Sequence, residues 1–125
     1  MSKILFVIEF GGFGLPLDQL AQQGHEIELA KNMRKALPLL KKIQPELLIA
    51  EFIYTSQFRD RDSNLDTILT QIQSQSPHTK VIAFVEKEQE THFDRLSKRF
   101  PEIKAGLFFP FEPEALQRLI KDTLD

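Results

Sequence analysis

Five short apolar runs alternate with five segments of helical periodicity, and this alternation limits the possible folds more than any single residue does. Residues 3–10 open with Ile4, Leu5, Phe6, Val7 and Ile8, an unbroken stretch that suits a strand covered on both faces. Residues 25–30 set Ile27 and Leu29 against Glu26 and Glu28. Residues 47–53 are apolar apart from Glu51, and residues 81–85 and 107–109 complete the set. Helical stripes lie between them. Pro16 suits a first turn ahead of Leu17, Leu20 and Ala21, and Gly24 supplies a stop. Asn32 is placed to cap a helix with Met33, Ala36, Leu37, Leu40 and Ile43 on its buried side. Pro38 falls inside it and predicts a kink or an early break. Leu65, Ile68, Leu69 and Ile72 mark a third helix. Thr91 is the expected cap of a fourth, with Phe93, Leu96 and Phe100 inward. Pro113 starts a fifth, with Leu116, Leu119, Ile120 and Leu124 facing the core.

Strands that alternate with helices imply right-handed crossovers and a parallel sheet with helices on both faces. The expected architecture is one α/β domain over residues 1–125. It is a flavodoxin-like three-layer αβα sandwich whose five-stranded parallel sheet has the order 2-1-3-4-5, with five helices. That order sets the ends of the first and third strands side by side, so Glu9 and Glu51 are expected to be neighbours at the carboxyl edge.

Composition narrows the function. A net charge of −2 offers no basic footprint for nucleic acid. No apolar run approaches the roughly 20 residues that a membrane span needs, and the start of the chain enters a strand without a signal-peptide pattern. The absence of Cys excludes disulfides and thiol chemistry, and it fits a cytoplasmic protein. His25, His78 and His92 stand on separate segments without ligand spacing. No nucleophile elbow accompanies the Ser and Thr residues. No enzyme activity and no cofactor is expected.

Three segments, in their order and spacing, resemble the receiver domain of bacterial response regulators, the CheY-like family. They are Ile4-Leu5-Phe6-Val7, Pro45-Glu46-Leu47-Leu48-Ile49-Ala50-Glu51, and Phe109-Pro110-Phe111-Glu112-Pro113-Glu114-Ala115-Leu116. The resemblance covers nearly the whole chain. It implies a phosphoacceptor Asp at the end of the third strand, where this chain has Glu51. It implies two acidic Mg²⁺ ligands where this chain has Ile8 and Glu9. A hydroxyl residue is expected where Val85 stands, and a phosphate-pairing Lys where Phe109 stands. The family's switch aromatic falls, by spacing, on Gly106. Phosphoryl transfer depends on positioning and charge neutralisation, and these replacements remove both supports. The resemblance therefore points to a degenerate pseudo-receiver that signals by protein contact without phosphorylation. Phe109 is expected to turn into the vacated pocket near Val85 and Ile8, and the Phe109-Pro110 bond is a candidate cis peptide.

The family's usual docking face, carried over, comprises Phe93, Arg95, Lys98, Arg99, Lys104, Arg118, Lys121 and Asp122. Its basic character suits an acidic partner: a signalling kinase, a phosphotransfer protein, a regulator or a second copy. Two other functions stay open from the residues. Glu51 and Glu9 with a divalent cation offer weak phosphorylation. The Gly11-Gly12-Phe13-Gly14 turn offers nucleotide or flavin binding in a flavodoxin-like protein. The segment between Glu51 and Leu65 is longer than the family's usual stretch. Its Arg59-Asp60-Arg61-Asp62 run is either a solvated loop or a docking loop anchored by Tyr54 and Phe58.

Overall fold

The computed structural model describes residues 2–9, 15, 17–53 and 64–125. Five parallel strands form one sheet: β1 (Lys3–Val7), β2 (Glu26–Ala30), β3 (Leu47–Glu51), β4 (Lys80–Val85) and β5 (Ile103–Phe108). They lie in the order β2-β1-β3-β4-β5, as the alternation predicts. Five helices join them: α1 (Leu17–Gln22), α2 (Met33–Ile43), α3 (Asp66–Gln75), α4 (Glu90–Arg99) and α5 (Pro113–Leu124).

The strands' side-chain alternation divides the core in two. Leu5, Val7, Leu48, Ala50, Val81, Ala83 and Val85 pack against α2, α3 and α4 through Ala36, Leu40, Ile68, Leu69, Phe93 and Leu96. Ile4, Phe6, Ile8, Leu47, Ile49, Ile82 and Phe84 pack against α1 and α5 through Leu20, Leu116 and Ile120. Because β1, β3 and β4 are buried on both faces, their sequences read as continuous apolar runs and not as alternating ones.

The structure differs from the periodicity in four places. α2 continues through Pro38 to Ile43, with Pro38 exposed on its outer side. Asn32 does cap this helix: its Oδ1 accepts from the Lys35 N–H at 2.9 Å. Leu29 is not inward, because β2 is an edge strand that leaves it 47% exposed. Thr91 lies inside the first turn of α4 and does not cap it, since a 3₁₀ turn over Lys87–Gln89 leads in earlier. β5 starts four residues before the predicted apolar run. After Ile103 come Lys104, Ala105 and Gly106, which hide the strand from a hydrophobicity pattern. Val81 pairs with Ile103 and Ile82 with Ala105, so Lys104 is the extra residue of an irregularity at the sheet edge. A bulged Lys at an edge discourages pairing with another strand.

Candidate functional site: the carboxyl edge around Glu51

β3 delivers Glu51 to the carboxyl edge in register with Phe84 on β4. It follows Leu47 and Ile49, so the pleat aims it at the α1/α5 side, and only 7% of the residue is exposed. The Glu9 N–H donates to Glu51 Oε1 at 2.5 Å, which ties the ends of β1 and β3 together. Glu9 and Glu51 are thus neighbours, as strand order predicts, but their carboxylates serve different partners. Glu9 continues the parity of Leu5 and Val7 toward α2, where its Oε1 accepts from the Met33 N–H at 3.1 Å. It acts as a second cap on that helix, favoured by the positive end of the dipole.

Mg²⁺ requires several oxygen ligands in near-octahedral array. These residues do not fit it. Ile8 is buried apolar, Glu9 is turned to α2, and a Glu51 oxygen holds a backbone N–H. Among the described residues no group of three His, Asp or Glu side chains is placed to hold a metal ion.

Val85 and Phe109, the other two positions that the resemblance singles out, separate across the sheet. Val85 belongs to the α2–α4 side of the core, whereas Phe109 packs on the α1/α5 side with Ile8 in the same cluster. The expectation that Phe109 packs beside Val85 is therefore corrected. A backbone bond joins the two, Phe109 N–H to Val85 O at 3.1 Å. The Phe109 ring joins two others: centroids lie 5.9 Å from Phe84 and 5.2 Å from Phe111, and Phe84 stacks on Phe111 at 5.1 Å. The Phe109-Pro110 peptide is cis.

On the opposite side, Phe93 of α4 stands over Gly106 of β5. A Cβ at residue 106 would lie 2.5 Å from Phe93 Cε2. The ring makes edge contacts with Phe52 at 5.5 Å and Phe108 at 6.4 Å. Phe93 is 5% exposed, so it is core and not part of a docking face.

The remaining docking-face residues do not form one basic surface. Arg99 turns toward α3, where its Nη1 lies 3.5 Å from Asp66 Oδ2. Arg118 and Lys121 line a groove with Gln23 and His25 on the α1 flank of α5. Lys104 and Asp122 line another, with Lys80, on the β5 flank. Arg95 and Lys98 are exposed on α4, interspersed with exposed Glu90 and Asp94.

Periodicity did not find Asn64. Its Nδ2 donates to Glu51 O at 2.8 Å, its Oδ1 accepts from the Ile53 N–H at 2.7 Å, and its own N–H donates to Ile53 O at 3.1 Å. One amide side chain thereby completes the backbone pairing that β3 lacks where it ends. The sequence signal is only an Asn in a polar stretch, which marks a turn without naming its partner. Tyr54, Phe58 and the run from Arg59 to Asp62 lie outside the described residues, as does the Gly11–Gly14 turn.

The rim beyond β4 and β5 is mainly acidic, with Lys87 as its exposed cation among five exposed Glu residues. Glu86, Glu88, Glu90, Glu112 and Glu114 are all exposed where β4 and β5 give way to α4 and α5. Glu90 and Glu114 occupy first helical turns, where the dipole favours them.

No family model and no curated protein matches this sequence. Solved structures do match its fold. Vibrio cholerae chemotaxis protein CheY4 superposes with a TM-score of 0.71 at 21% identity, covering 98% of each chain. A CheY-like receiver domain protein from Methanospirillum hungatei JF-1 gives 0.74 at 19% identity, over 100% of this chain and 94% of its own. NtrX from Brucella abortus gives 0.75 at 20% identity over 98% of this chain, which spans 26% of that longer protein. With its strand order and helix placement, the chain has the fold of CheY-like response-regulator receiver domains.

Proposed function

We propose that this chain is a non-catalytic pseudo-receiver that works in the cytoplasm, in two-component-type signal transduction, through protein–protein contacts and without phosphorylation. The observation that supports this most is the state of the Glu51 carboxylate. It is buried beside Phe84 with Oε1 accepting from the Glu9 N–H, so the group ties two strand ends together, whereas a phosphoacceptor has to present its carboxylate to the donor. Two further features agree. Phe109 offers an aromatic ring where a cation would have to neutralise phosphate. The acidic rim disfavours approach of an anionic phosphodonor.

Phe93 and Gly106 give the reading a mechanical side. A receiver that reports phosphorylation needs an element with two arrangements. Here the space over residue 106 is filled by a ring fixed from α4, which favours one shape. A protein partner would then read a constant surface. The exposed residues proposed for contact near α4 and β5 are Arg95, Lys98, Lys104 and Asp122. A signalling kinase, a phosphotransfer protein, a regulator or a second copy fits such a surface.

Radiolabelled acetyl phosphate with Mg²⁺ tests the central claim. The expected result is no stable label on the folded protein. Label that appears on the wild type and is lost in Glu51→Gln overturns the proposal.

A further inference from the structure

We propose that the solvent face of α2 is a second docking surface, and that its occupant is a short acidic segment of a protein partner. α2 gives Ala36 and Leu40 to the core. Its outer side carries Arg34, Lys35, Pro38, Lys41 and Lys42, all exposed, and Lys31 is exposed just ahead of the Asn32 cap. Positions i, i+1, i+4, i+7 and i+8 share one helical stripe, roughly 12 Å long at about 1.5 Å per residue. No Asp or Glu interrupts the sequence from Lys31 to Gln44.

Helix stability accounts for only part of this pattern. Lys41 and Lys42 sit in the last turn, where the dipole favours cations. Arg34 and Lys35 sit in the first turn, where it favours anions, and that turn contains no acidic residue. The Glu9 carboxylate serves the Met33 N–H at that end, and an acidic segment from outside would offset the charge of the cations along the stripe.

The surroundings select the size of the occupant. Five cations here, against a whole-chain charge of −2, leave the other residues at −7. Glu9 lies exposed at the start of the helix, and Glu26 and Glu28 lie exposed on the neighbouring edge strand β2. On the α3 side the exposed residues Thr67, Thr70, Gln73 and Ser74 are uncharged. A duplex nucleic acid or an anionic bilayer would extend past the stripe onto carboxylates. A short acidic segment meets only the cations. The polar outer face also offers nothing to insert into lipid.

The test uses the full chain and a fluorescent Glu-rich helical peptide of about 15 residues, long enough to span the stripe. Binding is followed by anisotropy at low ionic strength, and the contact is mapped by amide chemical-shift changes in the wild type. The expected result is saturable binding with shifts centred on residues 31–42. Affinity should fall about tenfold or more in R34E/K35E/K41E/K42E and by an intermediate factor in Arg34→Gln with Lys41→Gln. K98E/K121E should bind as the wild type does. The proposal is overturned if the α2 variants bind unchanged, or if the shifts fall on α4 and α5. It is equally overturned if duplex DNA or phosphatidylserine vesicles bind the wild type more tightly than the peptide does.

Discussion

The ring of Phe93 occupies the space into which any side chain on Gly106 would have to grow. A Cβ there would lie 2.5 Å from Cε2 and 2.9 Å from Cζ. The large residue on α4 and the absent side chain on β5 are two halves of one packing solution. Phe52 and Phe108 hold the ring from its edges. Neither residue has freedom unless the other changes.

Gly106→Ala should therefore destabilise the domain although Ala suits a strand better than Gly does. The methyl group forces the ring out of place, and such overpacking costs about 1–3 kcal/mol. Phe93→Leu removes the obstructing ring edge. The two substitutions together should cost less than the sum of their separate effects, because they share one contact. Urea unfolding of the four proteins in this cycle measures the coupling. Strict additivity would mean that the ring does not rest on residue 106.

Glu51 should behave as a structural acceptor. Glu51→Gln keeps an oxygen for the Glu9 N–H and is expected to cost about 1 kcal/mol. Glu51→Ala leaves that donor without its carboxylate and opens space at a site only 7% exposed, so about 2–3 kcal/mol is expected. Equilibrium denaturation separates the two. Equal stability of Ala and Gln variants would show that the bond between the strand ends contributes little.

Asn64 should control the amide of Ile53. Asn64→Ala removes the Oδ1 acceptor for that amide and the Nδ2 donor to Glu51 O, a loss of about 1–3 kcal/mol. Asn64→Asp keeps the acceptor and loses the donor. Hydrogen exchange at Ile53 should be fast in the Ala variant and close to wild type in the Asp variant. Slow exchange in both would place the protection elsewhere.

The sheet was legible because β1, β3 and β4 are buried on both faces and read as unbroken apolar runs. β5 was legible only at its end, since Lys104, Ala105 and Gly106 answer to edge protection and to the Phe93 ring. Strand order brought Glu9 and Glu51 together on paper. Which way their carboxylates turn depends on pleat parity at the ends of two strands, and on the Met33 N–H of α2, which has no partner within its helix and donates to Glu9. Phe93 illustrates the other limit. A ring at helical spacing is compatible with an exposed face as well as a buried one, and only the glycine opposite decides. Asn64 pairs with groups at the end of β3, a relation that no periodicity encodes.

Phe109→Lys tests whether the site is one substitution away from phosphate chemistry. The wild-type ring lies against Phe84 and Phe111 on the α1/α5 side of the sheet. Exchanging it for an ammonium group removes aromatic contacts and places a strongly hydrated charge among apolar neighbours. A loss of up to about 2 kcal/mol is expected, since the ring is only partly buried. A Lys Nζ drawn toward Glu51 would gain a partner, yet it would supply neither an acidic side chain at residue 8 nor a hydroxyl at residue 85, and Val85 packs on the other side of the sheet. The variant should thus melt at a lower temperature and remain unlabelled by acetyl phosphate. A Phe109→Lys protein as stable as the wild type that also takes up label would show that a single cation is enough for phosphorylation here.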